Sequence, residues 1–302
     1  MILCVGTTPT AQRTLVFERL QLDAVNRAAE CYDTASGKSI NVARVIHTLG
    51  EACIATGFLG GDVGKYIRDE LSAAGIAHDF VEVAPKTRTC VTVMDRSSGH
   101  ATELVEESKL VETDAWAKLK SKIEQLASRA KLIVLSGSLP PGAPQDFYAW
   151  CVKLGVRTIV DAAGGPLKRA LDARPFLVKP NRQELAKTLG VSVDSDDSLR
   201  DAVTRLNADW VVVTEGRSGA IVSDGTTLWR LHAPKVVAIN PIGSGDSLAA
   251  GIATALVRGE TMPDAAKLGI ACGAANAMTT TSGVVDPATV KELLTQVFIE
   301  QI

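Results

Sequence analysis

The stretch "KLIVLSG" (131–137) and three later ones, "VRTIVDAAG" (156–164), "FLVKPN" (176–181) and "WVVVTEG" (210–216), decide the fold. Each is a short apolar run without internal alternation that ends in Gly, Ser, Asp or Asn, as strands buried on both faces of a parallel sheet do. Helical segments alternate with them: "PQDFYAWCVKLG" (144–155), "RQELAKTLG" (182–190) and "SLRDAVTRLN" (198–207). The alternation predicts a doubly wound α/β sheet, in which ligands bind beyond the carboxyl ends of the strands.

Two segments, about 12–35 and 87–105, depart from this rhythm. Both alternate polar and apolar residues, and the second contains a hairpin signal at "RSSG" (96–99). We expect them to form strands of a small sheet beside the main one, where a flap at the edge of a ligand cleft could act as a lid. No repeat or Pro/Gly-rich linker divides the chain, so we predict one domain over 1–302 that includes this lid.

Composition excludes several classes of protein. The 302 residues are 46% hydrophobic and 4% aromatic, and the net charge of −2 gives no basic surface for nucleic acid or an anionic membrane. The cysteines are scattered without a CxxC pair and the histidines are isolated, which argues against a zinc site and a disulfide scaffold. The N-terminus "MILCVGTT" lacks the features of a signal peptide, so we expect a soluble, cytoplasmic protein.

The segment "VVAINPIGSGDSLAAG" (236–251) raises a question about Asp246. It predicts a strand, "VVAI", then a glycine turn and an apolar helix, so that the N–H groups of Gly243, Ser244 and Gly245 could face one anion. Asp246 could then accept a proton from a hydroxyl that attacks a phosphoryl group. A helix cap is the commoner role for a lone Asp at this position, and the fragment by itself favours that role.

Other candidate residues follow the same pattern of two competing interpretations. In "KPNRQE" (179–184), Asn181 and Glu184 could hold a water-bound magnesium ion, or they could form a capping box. Lys38 and Asn41 begin a predicted helix whose N-terminus could bind an anion, although Lys38 could also be an ordinary solvated lysine. Arg88 in the lid could bind a phosphate with two hydrogen bonds, although most surface arginines bind none.

The chain resembles the ribokinase-like carbohydrate kinases of the phosphofructokinase B type. The resemblance spans essentially the whole length, and several motifs recur in order: "SGKSINVARVIHTLG" (36–50), "GFLGGDVG" (57–64), "TRT" (87–89), "LSGSLPPG" (135–142), "KPNRQEL" (179–185), "TEGRSGA" (214–220) and "GSGDS" (243–247). Within that family the chain looks most like the 1-phosphofructokinase and tagatose 6-phosphate kinase branch.

The resemblance implies a three-layer αβα sandwich with a β lid, ATP and Mg²⁺ as cofactors, and transfer of the γ-phosphoryl group to a sugar hydroxyl. By position, Asp246 matches the base and 243–245 the anion hole. The matches on the sugar side are Gly37, Lys38, Asn41, Arg88 and Ser138, with Gln12 at a hydroxyl-binding position. The matches on the nucleotide side are Lys179, Asn181, Glu184, Thr214, Gly216 and Gly219, with Glu184 reaching the metal through water.

The departures from the family pattern cluster on the sugar side. Thr8 and Gln12 stand where the branch has Asn and Asp, and Gln12 is a neutral amide that would recognise hydroxyls differently. Ser36 and Ser39 replace glycines, Cys90 replaces a common Asn, and Pro241 replaces a common Thr. We therefore expect changed acceptor specificity rather than lost catalysis.

The leading hypothesis is an ATP-dependent kinase of a phosphorylated ketohexose, of the fructose 1-phosphate, fructose 6-phosphate or tagatose 6-phosphate type, with a bisphosphate as product. Lys38 and Arg88 would hold the existing phosphate. The alternatives are a kinase of an unphosphorylated sugar or nucleoside, and a catalytically silent sugar-phosphate sensor of the same fold. The resemblance also makes a homodimer through the lid plausible.

Overall fold

The computed structural model describes residues 1–302 and shows a mixed α/β fold with two sheets. The strands are β1 (Ile2–Gly6), β2 (Thr10–Phe17), β3 (Glu30–Ser36), β4 (Cys53–Leu59), β5 (Val81–Glu82), β6 (Arg88–Asp95), β7 (His100–Val105), β8 (Leu132–Ser136), β9 (Thr158–Asp161), β10 (Leu177–Val178), β11 (Trp210–Thr214), β12 (Gly219–Ser223), β13 (Leu228–His232) and β14 (Phe298–Gln301). The helices are α1 (Lys38–Thr48), α2 (Gly61–Ala73), α3 (Thr113–Ala127), α4 (Phe147–Val152), α5 (Gly164–Leu171), α6 (Arg182–Leu189), α7 (Asp196–Thr204), α8 (Ser244–Arg258), α9 (Met262–Ala277) and α10 (Pro287–Leu294).

The large sheet has ten strands in the order β14-β13-β12-β11-β10-β9-β8-β1-β4-β5. All neighbours from β11 to β5 pair in parallel, and the edge from β11 to β14 is antiparallel. The four strands predicted from 131–216 are β8, β9, β10 and β11, adjacent and parallel, which confirms the central part of the predicted sheet.

Apolar side chains of the large sheet alternate between two buried layers. In β1, Ile2 and Cys4 face the layer that contains α1, α8 and α9, whereas Leu3 and Val5 face the layer that contains α3, α4 and α7. Successive side chains of a strand point to opposite faces, so a sheet covered by helices on both sides needs continuous apolar runs. The predicted three-layer arrangement is therefore confirmed.

The small sheet has four strands in the order β3-β2-β6-β7. The segment 12–35 supplies most of β2 and β3, the segment 87–105 supplies β6 and β7, and the turn between the last two is the predicted "RSSG". Burial alternates along β6, as expected for a sheet with one covered face. On β7, Leu104 and Val105 are exposed, and the homodimer through this sheet stays a prediction.

One predicted strand is wrong. The residues "VVAI" (236–239) form an irregular segment, in which Val237 is 85% exposed. The N–H groups of Ile239 and Asn240 donate to the carbonyl of Ala277, at the end of α9, instead of to a neighbouring strand. The apolar pattern was misleading because no sheet edge is available there: β14, at the end of the chain, occupies the edge beside β13.

The small sheet joins the large one where β3 leads into α1. Arg44 of α1 donates to the carbonyl of Ala35 at 2.6 Å and to Glu70 of α2 at 2.7 Å, and Glu70 also accepts the N–H of Ala35. Both backbone polar groups of Ala35 are thus tied to core helices. The longest helix, α9, has 16 residues, and none of the helices has the length and apolarity needed to cross a membrane.

Candidate active site

Helix α8 begins at the predicted glycine turn and carries Asp246 in its first turn. Gly243 takes the N-cap position with φ +85°, in the left-handed region that favours glycine, and no side chain caps the helix. Asp246 is only 6% exposed. The capping role is therefore absent, and the carboxylate is buried for another reason.

The carboxylate of Asp246 is held on one oxygen only. Nδ2 of Asn41, from α1, donates to its Oδ2 at 2.8 Å, and Oδ1 has no hydrogen-bond partner within the chain. Burial raises the pKa of Asp246 to about 6, against the opposing effects of Lys38 and the Asn41 hydrogen bond. A carboxylate with one free oxygen and a pKa near neutrality can accept a proton from a hydroxyl group.

The glycine turn leaves backbone donors free beside this carboxylate. The N–H groups of Gly243, Gly245 and Asp246 have no partner in the chain, whereas the N–H of Ser244, which we had included among the donors, bonds the carbonyl of Pro241 at 3.2 Å. Unpaired N–H groups at a helix N-terminus bind anions. The free donors are thus adjacent in sequence to the candidate base.

Two lysines and a buried aspartate lie next to the turn. Oδ1 of Asp161, at the end of β9, pairs with Nζ of Lys38 at 3.3 Å and with Nζ of Lys179 at 3.2 Å. A Cβ atom at Gly245 would lie 3.6 Å from Nζ of Lys179, so this ammonium group lies against the glycine turn. The cluster therefore places the Lys179 ammonium group where phosphate oxygens would meet the turn, and Asp161 links it to Lys38.

The charges of the two lysines and Asp161 stabilise one another, whereas Asp161 disfavours the charged form of Asp246. Asp161 raises the pKa of Lys38 most, Asp246 and Glu184 add to the effect, and burial opposes it. Burial disfavours the charged form of Asp161, but Lys179 and Lys38 outweigh that effect and lower its pKa. Oδ2 of Asp161 is buried without a partner.

The candidate sugar-side residues lie where the small sheet meets the ends of β1 and β8. Nη2 of Arg88 donates to the carbonyl of Thr8 at 3.0 Å, and its Nε is buried without a partner. The carbonyl of Ser138 accepts bonds from Thr7 and Thr8. A Cβ at Gly137 would lie 3.6 Å from Thr8 and 3.9 Å from Lys38, so this region adjoins the lysine cluster.

Gln12 and Gly37 show how the two sheets shape this side. Gln12 is buried in β2, and its Nε2 donates to the hydroxyl of Thr92 on β6 at 2.8 Å. Gly37 has φ +106°, and a Cβ there would lie 2.8 Å from Cα of Pro9. Glycine is thus required where β3 turns into α1, directly before Lys38 and Asn41.

Asn181 and Glu184 form the capping box that was the alternative interpretation. The side chain of Asn181 accepts the N–H of Glu184 at 2.8 Å, and Oε2 of Glu184 accepts the N–H of Asn181 at 2.9 Å. Oε1 of Glu184 is left out of the box, and the charge of this residue still acts on Lys38. The box therefore fixes the position of the carboxylate near the cluster.

The remaining candidates for nucleotide binding lie at the ends of β11 and β12 and in the turn between them. Thr214 ends β11 and bridges to Asn181, and Gly216 begins the turn to β12. Gly219 has φ +114°, and a Cβ there would lie 1.9 Å from the carbonyl oxygen of Leu231. Strand pairing alone therefore demands glycine at 219.

The structure brings Asp246, the glycine turn, Asn41, Lys38 and Lys179 into one cluster at the carboxyl end of the large sheet. Asp161, which joins both lysines, was missed among the candidate residues. Its signal was available in the sequence, because it is a charged residue that ends the buried run "TIVD". Ser36, noted only as a departure from the family motif, has a buried hydroxyl that donates to Asn41 at 3.0 Å, a contact that no local pattern indicates.

The sequence and the fold are both similar to those of known proteins. Residues 1–289 match the family model described as pfkB family carbohydrate kinase. Among solved structures, a provisionally assigned phosphofructokinase of Staphylococcus aureus is 29% identical, with a TM-score of 0.82 and coverage of 100% of this chain and 99% of that one.

Two further structures are similar over their whole length. Escherichia coli phosphofructokinase-2, in complex with substrates and products, is 26% identical with a TM-score of 0.91, covering 98% of each chain. A possible 1-phosphofructokinase of Thermotoga maritima has a TM-score of 0.92 at 24% identity, covers 100% of this chain and 99% of that one, and supports the fold alone. The resemblance inferred from the motifs is confirmed: the chain belongs to the pfkB family of carbohydrate kinases and is a sugar kinase.

Proposed function

We propose that this sugar kinase transfers the γ-phosphoryl group of ATP to a hydroxyl of a phosphorylated ketohexose, giving a bisphosphate. The observation that carries the proposal is the adjacency of a buried carboxylate, with one free oxygen, to unpaired N–H groups in the same helical turn. Phosphoryl transfer needs a group that takes the proton of the attacking hydroxyl, and donors that offset charge on the transferring oxygens.

In this mechanism Asp246 accepts the hydroxyl proton on Oδ1 as the oxygen attacks the γ-phosphorus. The N–H groups of Gly243 and Gly245 bind the transferring oxygens, and Lys179 lies close enough to the turn to share that charge. Asn41 holds Oδ2 of the base in place. The proton leaves the hydroxyl as the P–O bond to the sugar forms and the bond to ADP breaks.

Magnesium fits the carboxylates of this site as a partner of the nucleotide phosphates. Oδ2 of Asp161 is buried without a hydrogen bond, and Oε1 of Glu184 is outside the capping box. No three potential ligands converge, so these two would hold the ion through water, with phosphate oxygens as its other ligands. When bound, Mg²⁺ would neutralise charge on the phosphates.

A phosphorylated acceptor is favoured by the charge of the groove beside Arg88. The groove lies between the small sheet and the end of β1, and Lys86, Arg88 and Lys109 line it together with Thr7, Thr8, Thr87 and Ser108. No carboxylate is among its lining residues. We propose that Arg88 and Lys38 hold the acceptor's existing phosphate, Arg88 from the groove and Lys38 from the cluster.

The acceptor class is tested by measuring ADP release with hexoses, hexose phosphates and nucleosides. We expect turnover with ketohexose phosphates and at most weak turnover with the unphosphorylated sugars. Preferred turnover of a free sugar or nucleoside would establish the alternative kinase. No turnover with any acceptor, together with tight binding of a sugar phosphate, would favour the sensor.

Arg88→Ala and Lys38→Ala should each raise KM for the phosphorylated acceptor by about 10- to 100-fold, the value of a charge-assisted hydrogen bond. KM for ATP should change little in Arg88→Ala. The matched control is Lys65→Ala, which removes an exposed cation of α2 that pairs only with Asp69. Acceptor KM values in both variants equal to that of Lys65→Ala would contradict the phosphate clamp.

Activity should fall as the pH drops through about 6, because the raised pKa of Asp246 makes it take up a proton there. An aspartate with an ordinary pKa would stay ionised about two pH units lower. The measurement is kcat/KM from about pH 5 to about pH 9. At each pH, doubling the coupling enzymes must leave the observed rate unchanged, so that they do not limit it. If kcat/KM stayed constant down to about pH 5, burial would not raise the pKa of Asp246 as we expect.

A further inference from the structure

Behind Asp246, a line of buried polar side chains runs into the core. Oδ1 of Asn41, whose Nδ2 bonds Asp246, accepts the hydroxyl of Ser36 at 3.0 Å, and the Ser36 hydroxyl lies 3.3 Å from that of Ser282. Each of these four side chains is less than 7% exposed. The hydrogen bonds at the two ends of the Asn41 amide are therefore made inside the protein.

The two ends of the Asn41 amide are not interchangeable. If the amide were rotated by half a turn, Oδ1 would face the carboxylate of Asp246, and two acceptors would repel one another. Ser36 is the hydrogen-bond partner of Oδ1 in the present orientation. Gly283 packs closely against the same residue, since a Cβ there would lie 2.8 Å from Cα and 2.9 Å from Oδ1 of Asn41.

We propose that Ser36 is a positioning residue, whose hydroxyl holds the Asn41 amide in the orientation that donates to Oδ2 of Asp246. Oδ1 of Asp246 is then the oxygen left for the acceptor's proton. The proposal rests on the proposed role of Asp246 as base. Ser36 occupies a position that is glycine in the motif this segment resembles, so the contact depends on a side chain particular to this chain.

Loss of the Ser36 hydroxyl should act on the Asp246 carboxylate through Asn41, because of the two partners of that hydroxyl only Asn41 bonds the carboxylate. A buried carbonyl without a donor is costly, and rotation of the Asn41 amide away from Asp246 would relieve that cost. The charged groups that face Asp246 are Lys38 from α1, Asp161 from β9 and Lys179 from the end of β10, and none of them contacts Ser36. A change in the titration of Asp246 would therefore report on the amide.

The test is Ser36→Ala in the full chain, with two readouts. Selective ¹³C labelling of aspartate carboxyl groups lets NMR follow the titration of Asp246 in the free protein, and its midpoint should move to higher pH because the ionised form loses a donor. The acid limb of kcat should move the same way. Above that limb kcat should fall by about ten-fold, as a misplaced base costs rate.

Thr254→Val is the matched control, because it removes a buried hydroxyl without a partner from the helix that carries Asp246. It should leave both midpoints and kcat unchanged. Should Ser36→Ala not fold, Ser36→Gly removes the same hydroxyl, and its midpoints should move in the same direction.

An unmoved Asp246 midpoint in the folded Ser36 variant would overturn the proposal, even if kcat fell, since a merely structural role would lower kcat alone. An equal shift in Thr254→Val would also overturn it. The NMR titration separates this proposal from the proposed function: if Asp246 proves not to be the base, the shift still tests the contact from Ser36 through Asn41.

Discussion

Replacing Asp246 by asparagine should lower kcat about a thousand-fold, within the range that a positioned general base contributes. Asparagine has nearly the same shape and can keep a hydrogen bond with Asn41, but its amide cannot take up the hydroxyl proton. Because the change removes a charge rather than a contact, the affinity for ATP should hold or improve. The measurement is ADP release with the preferred acceptor, together with nucleotide binding by calorimetry.

Asp62→Asn is the matched control for this substitution. Asp62 also lies in the first turn of a helix directly after two glycines, in "GGD", but it is exposed at the start of α2. It should leave kcat unchanged. The residual activity of Asp246→Asn should no longer fall as the pH drops through about 6. Turnover by Asp246→Asn at the native rate would show that Asp246 is not the base.

Gly243→Ala should lower kcat by about 100- to 1,000-fold, the range found when a donor to a transition-state oxygen is lost. Its Cβ would lie 2.7 Å from Cβ of Ser282 and 2.9 Å from the backbone nitrogen of Gly283. Neither neighbour is the end of a flexible side chain, so the turn must move. The free N–H groups of Gly243 and Gly245 would then move from their present place beside Asp246.

The control for Gly243→Ala lies at the other end of the same helix. Gly259 ends α8 with φ +92°, and nothing lies within 4 Å of a Cβ built there. Gly259→Ala should therefore cost about 1 kcal/mol for its backbone conformation alone and lower the melting temperature by a few degrees, with kcat unchanged. Equal losses of kcat in both variants would mean that the glycine turn has no special role in the reaction.

The central part of the fold could be predicted from the sequence because its signals are local. Apolar runs such as "LIVLS" (132–136) have to be covered on both faces wherever they occur, and that requirement fixes them as interior strands. The strand predicted for 236–239 failed for the opposite reason. Pairing at a sheet edge depends on which other segment reaches that edge, and here it is β14, about 60 residues later along the chain.

The candidate site was predictable where polar residues follow buried strands or glycine turns, as Lys38 and Asp246 do. The fragment around Asp246 did not distinguish a cap from a base, because both roles need an acidic residue at the start of a helix, and only the order of the other motifs favoured the base. The fold excludes the cap, since no side chain caps α8, and it brings Asn41, 205 positions away, to 2.8 Å from the carboxylate; the role of Asp246 as base stays a prediction. For Asn181 and Glu184 the fold closes the capping box, which leaves Oε1 of Glu184 as the oxygen for a water-bound ion.

By itself, then, the sequence determined the layered α/β sheet, the small second sheet and the family, since each depends on patterns of neighbouring residues and on the order of short motifs. The tertiary structure alone decided which polar groups stay unpaired: Oδ1 of Asp246, Oδ2 of Asp161 and the N–H groups of Gly243 and Gly245. Whether a polar atom is free depends on every neighbour that the fold brings to it, and those neighbours come from distant parts of the chain.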